Sequence, residues 1–318
     1  MGPSEEVVYL LARLGLHVAD DPLAVIREWG EHFARARQQG EYETCRYLLH
    51  AAKGWPLPDH SRALVLYSEG WLLDRLGYPG EAIKVYQRSS RLFDAAGLPQ
   101  LRSVLLGQIG SLYQDQRDYD AAGSAYAEAL DAATAGGDEH QRARVLHNIG
   151  TLALARGAPG DAEAPLQEAA DVFGRCGDTY NAAAAKLALG YVRESLGRPA
   201  EAQRLFLAAL QDFQEAGDQH GAANAIASLG VLELAHGDDA NAAQLLEQAL
   251  AVLTTLEDHP AVARTMSNLA IVEARRGRAQ EAIGHWTRCR DLYLEIGDSE
   301  SADDISRRLE EFQSRAGG

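Results

Sequence analysis

Two short stretches carry residues that could do recognition chemistry: RVLHNIG at 144–150 and RTMSNLA at 264–270. Each sets an arginine four residues before an asparagine, Arg144 with Asn148 and Arg264 with Asn268. On a helix, that spacing puts both side chains on one face. An asparagine amide offers a donor and an acceptor, matching the C=O and N–H of an extended peptide whatever its side chains. An arginine one turn away adds a planar fork of donors for a carboxylate or a carbonyl. This is the chemistry of holding a chain, not of breaking one. The ten histidines show no HExxH or paired-ligand spacing. No Ser-His-Asp arrangement, P-loop or glycine-rich phosphate cradle occurs either. Cys45, Cys176 and Cys289 stand far apart without a CxxC. They read as small buried residues in a reducing compartment. The expectation is a non-enzyme without metal or cofactor.

Charge narrows the partners. Thirty Lys+Arg against 46 Asp+Glu give a net charge of −16, with a pI near 5.0. So acidic a surface repels phosphate backbones, which argues against nucleic acid. The cluster Arg275, Arg276 and Arg278 is too small to reverse this and suits a helix C-terminus, where it answers the dipole. The opening MGPSEEVVYLLARLG has acidic residues where a secretory signal needs basic ones. No run of about twenty apolar residues exists to span a membrane. The expected location is cytoplasmic.

The elements that position the Arg/Asn pairs follow from an internal repeat. Stepping by 40 from Gly150 gives Gly70, Gly110, Gly190 and Gly230, and Ala270 closes the series. Twelve residues after each stands an alanine: Ala82, Ala122, Ala162, Ala202, Ala242 and Ala282. Four further on the residue is bulky: Tyr86, Tyr126, Leu166, Phe206, Leu246 and Trp286. Three beyond that it is small again, from Ser89 and Ala129 through to Cys289. The units close at Asp138, Asp178, Asp218, Asp258 and Asp298.

Each unit reads as two helices. In the third, Leu146, Ile149 and Ala153 share one face, and Ala162, Leu166, Ala169 and Phe173 share another. Gly157 can end the first helix in the left-handed conformation, and Asp178 can cap the helix that follows the second. Helix breaks are expected near Gly77, Gly157, Gly197, Gly237 and Gly277. Small residues at fixed positions let two backbones approach, and the bulky residue fills the remaining gap. A pair this small cannot bury its apolar face alone, so neighbours must stack.

A glycine, an alanine twelve on, a large apolar residue four later and a small one three later resemble the tetratricopeptide repeat. The 40-residue form ending in Gly-Asp is similar to arrays of bacterial regulators, peptide-pheromone receptors and spindle-orientation adaptors. The resemblance implies an all-α chain, a right-handed α-solenoid of stacked antiparallel helix pairs. Six units span 59–298, with an N-terminal helix and a divergent first pair over 1–58 and a capping helix over 299–318. In the divergent pair, Gly40, Cys45 and Leu49 stand where Gly77, Ala82 and Tyr86 stand later, short by three residues. Val7, Val8, Leu10, Leu11 and Leu14 mark the one-sided N-terminal helix.

In such arrays the first helix of each unit lines the concave side, where ligands usually lie. The resemblance therefore places in the groove the residues six, three and two before the marker glycine and one after it. Tyr67 and Trp71 form an aromatic shelf in the first unit, and Gln108 stands in the second. Arg144, His147 and Asn148 follow in the third, Leu187 and Tyr191 in the fourth, Asn224 in the fifth, and Arg264 and Asn268 in the sixth. The lysine-rich clamp for a C-terminal carboxylate is absent. The bland alternatives are that these polar residues are solvated surface, that Tyr67 and Trp71 pack under the divergent pair, and that His147 is a wall residue.

First helices spaced by ~10 Å put the two Arg/Asn pairs ~30 Å apart, the reach of about nine extended residues. The implied function is a scaffold binding an extended or part-helical protein segment with acidic groups and one apolar anchor. The alternative is a sensor that changes shape on a short signal peptide and controls a separate effector. The motif is specific for fold and nearly silent about function.

Overall fold

A computed structural model describes residues 22–55 and 57–316. The expected N-terminal helix around Val7–Leu14 lies outside the described residues. Among the described residues there are fifteen helices and no strand. They fall into two compact units, with the chain boundary between Leu152 and Ala153.

Unit 1 holds α1 (Pro22–Gln38) and α2 (Tyr42–Lys53), then α3 (Asp59–Arg75) with α4 (Pro79–Ala95), and α5 (Pro99–Asp115) with α6 (Tyr119–Ala135). It runs into α7 (Glu139–Ala155), which carries the boundary. Unit 2 begins with α8 (Pro159–Cys176) and continues with α9 (Thr179–Ser195) and α10 (Pro199–Glu215). Next come α11 (Gln219–His236) with α12 (Asp239–Thr255), α13 (His259–Arg275) with α14 (Ala279–Glu295), and α15 (Ser299–Ala316). Within each unit successive helices pack on one another, so the fold is a stack of helix pairs.

Turn chemistry sets the frame. At Gly77 (φ 81°) the chain turns left-handed, its N–H reaching Asp74 O at 2.9 Å while Tyr78 N–H reaches Leu73 O at 2.9 Å. That closes the last carbonyls of α3. Gly157, Gly197, Gly237 and Gly277 repeat the conformation, at the breaks expected from the sequence. At the helix starts, Asp118, Asp178, Asp238, Asp258 and Asp298 each accept from the backbone N–H three residues on. That satisfies one of the free amides of the first turn.

Two turns do without glycine: Arg117 (φ 59°) and Glu257 (φ 54°) sit where other repeats have one. A left-handed side chain costs about 1–2 kcal/mol, partly offset by the greater freedom glycine has when unfolded. Glu257→Gly should therefore stabilise the protein by about 0.5–1 kcal/mol, read from urea unfolding. No gain would show that the turn is held by something other than its backbone preference.

The small/bulky alternation is the packing itself. Phe206 and Leu246 are 0% exposed and Tyr126 2%. A Cβ on Gly70 would run into the Tyr86 ring, one on Gly110 into Tyr126, and one on Gly190 into Phe206. Each glycine is thus the notch that receives the ring. Buried serines are satisfied across helices: Ser89 Oγ donates to Ala63 O at 2.7 Å and Ser103 Oγ to Ala129 O at 2.8 Å. In α15, Ile305 and Leu309 are buried, and Phe312 meets Trp286 edge-on with ring centroids 5.1 Å apart.

Two expectations need correction and one is extended. Cys45 and Cys289 are buried, but Cys176 is exposed, because it ends α8 directly before the left-handed Gly177. The arginines near 275 do more than answer a dipole. Arg276 and Arg278 both hold the buried carboxylate of Glu273, at 3.0 and 3.2 Å, and Arg275 donates to Leu234 O at 2.6 Å. Trp71 forms no open shelf with Tyr67. It is 9% exposed, packed against Phe33 and Tyr42 with the Arg37 guanidinium 4.7 Å above its ring. Tyr67 leans instead on Tyr86, at 5.9 Å. Trp29 in turn stacks on Phe33, with ring centroids 5.3 Å apart, so α1 packs over the face on which Trp71 stands.

Candidate functional site

In unit 2 the first helices α9, α11 and α13 each present a turn-spaced stripe, and the stripes meet around an open depression of about 510 Å³. From α9 come Leu187, Tyr191 and Glu194; from α11, Asn224, Ala227, Ser228 and Val231; from α13, Arg264, Thr265 and Asn268. Five residues expected from the sequence, Leu187, Tyr191, Asn224, Arg264 and Asn268, are thus gathered on one surface. Register explains it: the 40-residue frame makes equivalent side chains neighbours on adjacent helices.

Hydrogen bonds fix the floor. Ser228 Oγ donates its one proton to Asn224 O at 2.8 Å, so the contact with Tyr191 at 2.7 Å has the tyrosine hydroxyl donating. Tyr191 is therefore tied down at its tip while its ring, 5.3 Å from Phe206, stays 38% exposed. The Asn224 amide is oriented from both ends. Its nitrogen donates to His220 O at 3.2 Å, and its oxygen accepts from Arg264 Nη2 at 3.3 Å. Arg264 keeps the rest of its guanidinium open on an exposed side chain. Two polar groups on this surface have no partner among the described residues: the amide of half-buried Asn268 and the carboxylate of half-buried Glu194.

Electrostatics sharpen the two ends. Burial pushes the Glu194 carboxyl above the usual carboxylate range, so a donor or cation opposite it would be welcome. Beside Arg264, Asp258 caps α13 and meets His220 Nε2 at 2.5 Å. Burial raises the Asp258 carboxyl, but the Ala261 N–H, His220 and Arg264 outweigh it and hold it below the usual range. The surface thus offers an anion-seeking corner at Arg264, a donor-seeking corner at Glu194, and an apolar floor between them.

Sequence reasoning missed Glu194 because the stripe was cut one residue past the marker glycine. Three residues beyond Tyr191 lies the same face, one turn on. His220 and Thr265 were missed similarly, one turn before Asn224 and next to Arg264. In unit 1 the expected residues stand on α3, α5 and α7. Gln108 and Arg144 are exposed, with Arg144 Nη1 3.4 Å from Gln141 Oε1, and His147 and Asn148 are half-buried. Among the described residues no group of three or more His, Cys, Asp or Glu side chains is placed to hold a metal ion. No described helix is long and apolar enough to cross a membrane.

Comparison with known proteins bears on this fold. One tetratricopeptide repeat model matches residues 101–174 and 181–255, and a second matches 262–296. A search of curated proteins gives no match. Among solved structures, the apo form of RapI is 14% identical over 85% of this chain and 99% of that one, with a TM-score of 0.71. A Rap protein complexed with Competence and Sporulation Factor is 16% identical over 98% of this chain and 91% of that one, with a TM-score of 0.62. A signal-transduction ATPase with a tetratricopeptide repeat sensor, from Pyrococcus horikoshii, is 14% identical. It is covered over 89% of this chain and 45% of that one, with a TM-score of 0.70. At such identities the likeness is one of fold. Repeat by repeat, from the glycine notches to the aspartate caps, the chain belongs to the tetratricopeptide repeat family.

Proposed function

We propose that this chain is a non-catalytic interaction module that binds a peptide segment of another protein across α9, α11 and α13. The carrying observation is the pair of half-buried, unpartnered polar groups, Asn268 and Glu194, flanking an apolar floor beside an open arginine. Half-buried polar groups without partners are what a ligand's backbone and side chains would satisfy. Asn268 matches a peptide group, Arg264 an acidic side chain or terminus, and Leu187 with Tyr191 an apolar residue. Two helix spacings of ~10 Å separate Tyr191 from Arg264, so about six extended residues would cover the surface.

A second reading is a sensor whose ligand is a short signal peptide and whose effector is a separate domain or protein. Its support is that a Rap protein of this fold is complexed with Competence and Sporulation Factor and that a tetratricopeptide repeat sensor in an ATPase shares the fold. Both readings place the peptide on the same face. An array of hexapeptides, each with one carboxylate and one aromatic residue, would be tested against wild type and Arg264→Glu. Peptides that bind wild type and lose the variant support the reading. A panel in which the variant binds as well as wild type moves the site elsewhere.

A further inference from the structure

Unit 1 carries a second, different surface where the repeat frame slips. Helix α2 has 12 residues where its counterparts α4 and α6 have 17, and the segment GWPLP follows it. Beside it lies a depression of about 870 Å³, floored by Leu49, Leu72 and Leu73. Large apolar side chains stand open on its rim: Tyr47 at 52% exposure, Tyr78 at 54% and Leu76 at 40%. Side chains of this kind grouped at one depression mark an interface.

The charges around it point to what covers it. The outward stripe of α2 reads Glu43, Arg46, Tyr47, His50, Lys53, with opposite signs at its two ends. Those ends are ten residues apart, about 15 Å along the helix. Two exposed ion pairs frame the depression, Arg46–Glu43 at 3.1 Å and Lys53–Glu69 at 2.6 Å, so the patch is formally neutral on a chain of net charge −16. A neutral patch escapes the repulsion that the net charge imposes, on average, between two copies.

We propose that this face joins two copies of the chain about a two-fold axis, α2 packing antiparallel on α2 of the second copy. A two-fold pairs each residue away from the axis with a different one and repeats the contact in reverse. An axis near Leu48 sets Glu43 against Lys53 of the second copy, and Lys53 against its Glu43. Arg46 comes opposite His50. Each Tyr47 enters the other copy's depression, a knob meeting a matching hole. A parallel arrangement would stack Glu43 on Glu43 and Lys53 on Lys53. The existing pairs are exposed and cheap to exchange for intermolecular ones.

Sedimentation equilibrium of the full chain tests this. Wild type is expected to be a dimer in the micromolar range, and Tyr47→Asp a monomer with unchanged helical circular dichroism. Leu207→Asp, an equally open position in unit 2, should leave the dimer intact. Glu43→Lys and Lys53→Glu alone should each weaken association by about tenfold or more, through like charges set face to face. Mixed in equal amounts, these two variants should associate again, because both 43–53 contacts then pair opposite charges. A monomeric wild type, a dimer that survives Tyr47→Asp, or a mixture no tighter than its parts would each overturn the proposal.

Discussion

Replacing Phe206 with alanine should lower the unfolding free energy by about 3–5 kcal/mol, the largest single effect expected in the chain. The ring is 0% exposed and fills the notch left by Gly190, where an added Cβ would strike it. Ala202, Leu229 and the Tyr191 ring pack around it, and a close-packed surround of this kind relaxes only in part, so much of the cavity would persist. The reciprocal change, Gly190→Ala, should cost about 1–3 kcal/mol by overpacking. The two positions are coupled, so Gly190→Ala with Phe206→Leu should cost less than the separate losses combined. In the equivalent joint Leu246 faces Gly230, so the same glycine accepts a smaller filler there. Stability in a repeat array is local, so the defect should also split one melting transition into two. Calorimetry with urea titration reads both effects. A loss under about 1 kcal/mol in a single transition would refute the notch as a principal contact.

Arg264→Glu should weaken a bound acidic peptide by about tenfold or more, since a hydrogen bond to a charged group contributes about 1.5–3 kcal/mol. The change removes the charge-assisted contact and sets a carboxylate near Asp258, which Arg264 helps to hold ionised. It also strips Asn224 Oδ1 of its donor at 3.3 Å, loosening the amide that lies beside Tyr191's anchor, Ser228. Salt should reduce wild-type affinity more than that of the variant, because the lost contact is ionic. Arg144→Glu separately tests whether the Arg144/Asn148 pair expected from the sequence contributes to binding. Calorimetry at two salt concentrations distinguishes these cases. Equal affinity for wild type and Arg264→Glu would place the peptide on another face.

Much of this was legible in the sequence because the repeat repeats its physics. A glycine every 40 residues, answered by Tyr126, Phe206 or Leu246, specifies a helix pair, and Gly77 or Gly157 specifies where it turns. Five residues of the candidate surface followed from the same frame. What was not legible lies where the frame fails or stops. Trp71 is buried because α1 is displaced and brings Phe33 onto it, a contact that no periodicity encodes. Glu194 lies one turn past the stripe, and its significance depends on having no partner, which only three-dimensional neighbours reveal. Cys176 is exposed because a helix end, not a helix face, decides its surroundings.

The variation among the notch fillers bears on how the chain reaches its fold. Near-identical repeats can pair with the wrong neighbour, and misassembly between look-alike modules is a characteristic failure of repeat proteins. Here the same place is filled in turn by Tyr86, Tyr126, Leu166, Phe206, Leu246 and Trp286, side chains of different size. A strand of chain shifted by one full repeat would set a leucine in a tyrosine's recess, or a tryptophan in a leucine's. Each such mismatch leaves a void or a clash, so a shifted pairing lies above the native one except between the first two units, where Tyr86 and Tyr126 are alike. Differences in filler size therefore bias the array toward its own order as it assembles, everywhere but at that one matched pair.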